Sequence, residues 1–72
     1  METLTKRQGE VLVAIDGFIK SHQYPPTVKE LSILMGFAST STTHSLLIQL
    51  EKKGYIHREE SKPRAMKVLC QT

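Results

Sequence analysis

Apolar positions along the chain fall into three helical stripes and then change period. Val11, Ile15, Phe18 and Ile19 recur on one helical face, and Thr5 followed by Gln8 has capping-box spacing, which predicts a first helix over about residues 6–21. Gly9 and Gly17 weaken that helix by roughly 1 kcal/mol each relative to alanine, so tertiary packing has to hold it. Tyr24-Pro25-Pro26 stops it and sets an extended entry to the next element. Thr27 and Glu30 make a second capping box, and Leu31, Leu34 and Met35 give the stripe of a short helix. Gly36 ends that helix, because glycine accepts the left-handed backbone that redirects the chain sharply. Phe37 follows as a core plug at the turn.

Residues 39–45, STSTTHS, are six hydroxyl residues and one histidine, a composition that usually marks a loop. Thr43, Leu46, Leu47 and Leu50, however, fall at i, i+3, i+4 and i+7, so the run is the first half of a third helix. Ser39 suits its N-cap, Gly54 the position just past its end, and Lys52 with Lys53 the negative end of its dipole. With the leucines turned inward, Ser41, Ser45, Ile48 and Lys52 point outward, flanked by Thr42, His44 and Gln49. After Gly54 the period becomes two. Tyr55 to Arg58 alternates, Glu59 to Pro63 reads as a turn, and Arg64 to Leu69 alternates again with Met66 and Val68 on one side. The expected fold is mainly α with a small β-hairpin: a winged helix-turn-helix of three helices plus a two-stranded wing, able to place its last helix in a DNA major groove.

Length and composition narrow the options. The 72 residues suit one small domain, 1–72, burying roughly 60% of its unfolded surface and leaving little room for a deep active-site cavity. Hydrophobic residues at 39% and charged residues at 24% are those of a globular chain, and a net charge of +3 permits an anionic partner without demonstrating one. The distribution says more. From Leu31 to Leu50 there is no charged residue, whereas residues 52–67 hold Lys52, Lys53, Arg58, Lys62, Arg64 and Lys67 against Glu59 and Glu60. Short uncharged donors and acceptors can read base edges while Lys and Arg at the periphery hold phosphates. The same pattern also fits a solvated face on a protein-interaction module, with Ile48 and Leu46 at the contact.

Enzyme chemistry has little support. Cys70 stands alone, two residues from the C-terminus, and His22, His44 and His57 lie outside zinc-ligand spacing, so neither a thiol nucleophile nor a metal is expected. Ser61-Lys62 is a neighbour pair on the wing and no supported nucleophile and base. No apolar run approaches the roughly 18 residues needed to cross a bilayer, and METLTKRQGE has no signal-peptide core, so a reducing cytoplasm is expected.

Three blocks carry a resemblance over nearly the whole chain. LTKRQGEVLVAI, YPPTVKELSILMGFAS and LEKKGYI with KPRAMKV, in register, resemble the N-terminal DNA-binding domain of the LexA repressor family. The resemblance implies a repressor domain for palindromic SOS-type operators, acting on double-stranded DNA as a dimer, weak or monomeric in isolation, in the cytoplasm or nucleoid of a bacterium. Position by position, Ser39 and Ser41 match the start of the family's recognition helix, and Thr42, His44 and Ser45 its base-facing positions. Ile48 faces the same way, as a thymine-methyl contact or an exposed aliphatic. Lys53, Lys62 and Arg64 match backbone-contacting positions, and Thr27, Lys29 and Lys52 complete the expected phosphate set. Ser45-Leu46 stands where the branch it most resembles carries Gly-His. A full repressor of this kind continues into an Ala-Gly cleavage site and a Ser-Lys peptidase domain, neither of which these residues contain, so no autoproteolysis is expected of them. No cofactor, membrane or small-molecule ligand is implied. His44 near phosphates is read either as a group whose protonation strengthens binding at lower pH or as a neutral hydrogen-bond partner.

Overall fold

The computed structural model describes residues 3–58 and 66–69. Three helices, α1 (Lys6–His22), α2 (Val28–Met35) and α3 (Thr40–Lys52), precede two strands, β1 (Ile56–Arg58) and β2 (Met66–Val68). The expected turn residues Glu59 to Pro63, the wing positions Ser61, Lys62 and Arg64, and Cys70 lie outside the described residues.

Both capping boxes form as the spacing requires. Thr5 Oγ1 accepts the Gln8 N–H while the Gln8 side chain accepts the Thr5 N–H, and Thr27 and Glu30 repeat the exchange at the start of α2. Each box satisfies two backbone donors that a helix start otherwise leaves open. α1 closes on Gln23, held left-handed at φ 68°. The other two helices end on glycine in the same way. Gly36 at φ 72° lets Phe37 N–H reach Ser32 O at 2.9 Å and its own N–H reach Ile33 O at 3.1 Å. Gly54 at φ 85° lets Tyr55 N–H reach Leu50 O at 3.0 Å and its own N–H reach Glu51 O at 3.1 Å. Both are Schellman closures, and each throws an aromatic residue, Phe37 or Tyr55, back toward the core.

The core is one cluster of Val11, Leu12, Ile15, Leu31, Leu46, Leu47, Leu50, Tyr55, Ile56 and Met66. Each fully buried leucine among them contributes about 2 kcal/mol of transfer free energy. The α3 stripe of Thr43, Leu46, Leu47 and Leu50 is buried as expected. Two expected stripes shift. On α2, Leu34 is 56% exposed and Ser32 is buried. At about 100° per residue the inward arc of buried Leu31 and Ser32 with half-buried Val28 and Met35 leaves Leu34 on its flank, because α2 is wedged between α1 and α3 and needs a small residue where α3 crosses it. On α1, Leu12 joins the core and Phe18 moves to the edge, where its ring stacks on His22 with centroids 4.0 Å apart.

β1 and β2 pair antiparallel, Ile56 opposite Val68, His57 opposite Lys67 and Arg58 opposite Met66. Leu69 N–H to Tyr55 O at 2.8 Å extends the pairing. Ile56 and Met66 plug the core, while His57 and Lys67 face outward. No single helix among the described residues is long and apolar enough to cross a membrane. The apolar pair α2 and α3 is bent by 104° and turns its buried side chains into the shared core.

Candidate nucleic-acid interface

That 104° crossing and the short link from Gly36 to Ser39 present α3 on the outside of the molecule. Its rear face is apolar and its front is not. Ser39, Ser41, Thr42, His44, Ser45, Ile48 and Gln49 are all exposed. Ser39 holds the N-cap position in an extended conformation, but its side chain makes no capping hydrogen bond. The first turn of α3 thus carries hydroxyls and unpaired backbone N–H groups together, an arrangement suited to an anion.

Two polar contacts hold this helix in place, one buried and one part-buried. Ser32 Oγ donates to Val28 O at 2.9 Å and lies 2.5 Å from Thr43 Oγ1. A hydroxyl has one proton, so Thr43 supplies the hydrogen of the second bond. This pair clamps α2 to α3 at their crossing. At the other end of α3, Gln8 of α1, 4% exposed, donates from Nε2 to Gln49 Oε1. Its Oε1 accepts from Lys53 Nζ at 2.7 Å, and Lys53 also donates to Thr3 O at 2.9 Å. α3 is therefore pinned to α1 through its outward-facing edge.

Of the expected phosphate set, Lys29 and Lys52 are exposed. Thr27 is half-buried; in the α2 capping box its N–H donates and its Oγ1 accepts, which leaves its hydroxyl proton to give. Lys53 is half-buried and uses two of its three donors internally, leaving one. Lys62 and Arg64 lie outside the described residues. The basic cluster read from the chain loses Arg58, whose backbone N–H meets Glu51 Oε2 at 3.4 Å and whose Nε lies buried 3.7 Å from Glu51 Oε1. It keeps Lys67, on the outer face of β2. Leu46, weighed as a protein contact, is instead 8% exposed and part of the core. The pattern of the chain places Gln49 on the front of the third helix without a role of its own and does not connect Gln8 with that helix. Gln8 showed only as a capping residue, and nothing in the chain signals that residues 41 apart share a hydrogen bond. Among the described residues, no group of three His, Cys, Asp or Glu is placed to hold a metal ion.

Three helices, the second and third crossing at 104°, and an antiparallel two-stranded wing define a winged helix-turn-helix domain. The chain belongs to the LexA DNA-binding domain family, whose pattern matches residues 1–65. It is 51% identical over 69 residues to the LexA repressor of Shouchella clausii (strain KSM-K16), covering 96% of this chain and 33% of that protein. The LexA repressors of Bacillus mycoides (strain KBAB4) and Bacillus thuringiensis (strain Al Hakam) are each 48% identical over 69 residues, with 96% of this chain and 34% of each repressor covered. The chain thus spans about a third of the length of these relatives. Membership of this family favours DNA as the partner over the protein-contact alternative.

Proposed function

We propose that this chain is the DNA-reading domain of a LexA-like transcriptional repressor that acts in the cytoplasm on double-stranded operators of the SOS type. The observation that carries the reading is the two-sided α3: an uncharged hydrogen-bonding front from Ser39 to Gln49, backed by a buried apolar stripe. Inserted in the major groove, Ser41, Thr42, His44 and Ser45 read base edges, with Ser39 at the helix start and Ile48 against a thymine methyl. Thr27, Lys29, Lys52 and the free donor of Lys53 hold phosphates from one side, and Lys62 and Arg64 from the wing, joined by Lys67. These residues bind; they carry out no bond-breaking step.

One such module covers roughly 600–1,000 Å² on DNA, so a half-site is bound weakly and a palindrome by two copies. The test is fluorescence anisotropy with a labelled palindromic SOS-type operator and a scrambled duplex of equal length. Preferential operator binding is expected, and equal binding to both duplexes refutes the reading.

A further inference from the structure

The inner face of the wing carries a charge where its period calls for an apolar residue. Ile56 and Arg58 lie two apart on β1 and so share the face turned to the core, and Arg58 stands opposite buried Met66. The Arg58 side chain is 18% exposed and meets Glu51 of α3: its backbone N–H lies 3.4 Å from Glu51 Oε2 and its Nε 3.7 Å from Glu51 Oε1. Among the described residues that buried Nε has no hydrogen-bond acceptor, and the Glu51 carboxylate is the countercharge beside it. Glu51 is itself out of place. It is the only Asp or Glu between Leu31 and Arg58. It sits in the last turn of α3, where the helix dipole disfavours an anion, on an element whose front faces a polyanion. Neither residue is what stability alone selects, since apolar groups at such a position hold a fold as well or better. What the pair adds is a fixed geometry between the two elements that carry it.

We propose that Glu51 and Arg58 are positioning residues that set the angle of the wing to the recognition helix, so that the bases read by α3 and the phosphates held from the wing are met together. The inference rests on the DNA-binding function proposed above and adds how its two contact surfaces are kept in register. Glu51 meets β1 at two points of one residue, backbone and side chain, and so restrains the direction of the strand as well as its distance. β1 pairs with β2, whose Lys67 faces outward, and leads along the chain toward Lys62 and Arg64. A tilt of β1 therefore carries Lys67 with it and redirects the chain toward the other two cations, while Ser41 to Ser45 stay where α3 holds them.

The test compares the parent with Glu51→Gln, Arg58→Met and the double variant. Each is titrated by fluorescence anisotropy against a palindromic SOS-type operator and a scrambled duplex over a series of salt concentrations, below the unfolding temperature that circular dichroism gives for that protein. If Glu51 were only a charge near DNA, Glu51→Gln would tighten binding to both duplexes and, by freeing Arg58 for a phosphate, steepen the salt dependence. A positioning role predicts the reverse. Glu51→Gln should lower the ratio of operator to scrambled affinity about eightfold at about 0.1 M salt, the counterion-release worth of one wing phosphate, and reduce the slope of log operator affinity against log salt by about 0.9. Arg58→Met should lower the ratio as much, and the double variant no further, because either substitution alone opens the joint. A merely structural pair lowers the unfolding temperature and keeps the parental ratio and slope. An unchanged ratio or slope in Glu51→Gln, tighter binding to both duplexes, or losses that add in the double variant overturn the inference while DNA reading by α3 stands. If the parent binds both duplexes equally, the proposed function fails and the inference with it.

Discussion

The clamp between α2 and α3 makes a prediction whose size depends on which hydroxyl is removed. Ser32 Oγ donates to Val28 O and accepts from Thr43 Oγ1, with both residues buried. Ser32→Ala leaves the Thr43 hydroxyl buried with no partner, a cost of about 1–3 kcal/mol. Thr43→Val keeps the volume, and Ser32 remains bonded to Val28 O, so only the net value of one hydrogen bond is lost, about 1 kcal/mol. The double variant has neither a stranded donor nor a stranded acceptor and presents two apolar groups at the crossing. It is expected within about 1 kcal/mol of the parent, because replacing both partners is close to neutral. The two substitutions are thus non-additive, by about 1–3 kcal/mol in the double-mutant cycle. Urea unfolding followed by circular dichroism, with m held common to the four proteins, measures it. In thermal unfolding each kcal/mol corresponds to about 4–8 °C for a domain of this size. Simple additivity of the two effects refutes the assigned direction of the bond and with it the clamp.

The remaining predictions concern α1 and the charged flank. Gly9→Ala and Gly17→Ala should each stabilise by about 0.5–1 kcal/mol in thermal unfolding, since an added Cβ meets nothing within 4 Å at either site; a loss at either would contradict the open space seen there. Gln23→Gly should raise stability by up to about 1 kcal/mol by relieving the left-handed backbone at φ 68°, less the exposed bond from its side chain to Lys20 O. Lys52→Ala should lower affinity for operator and scrambled DNA alike and reduce the slope of log affinity against log salt by about 0.9, one phosphate contact; an unchanged slope removes Lys52 from the phosphate set.

How much of this was legible in the chain depended on distance along it. The capping boxes at Thr5 and Thr27, the glycine closures at Gly36 and Gly54 and the change of period after α3 are interactions among residues within a few positions, and these determined the elements and their order. The same local periodicity placed Thr43 and the three leucines inside and the hydroxyls of α3 outside, which is most of the candidate interface. Periodicity failed on α2, where the crossing of α3, eleven residues away in the contact from Ser32 to Thr43, buried a serine and exposed Leu34. It was silent on the meeting of Gln8 with Gln49 and with Lys53, across 41 and 45 positions. Local chemistry therefore determined which residues of α3 face outward. Only packing between helices decided how α3 is held, by the Ser32–Thr43 contact against α2 and by the bonds of Gln8 to Gln49 and Lys53 against α1.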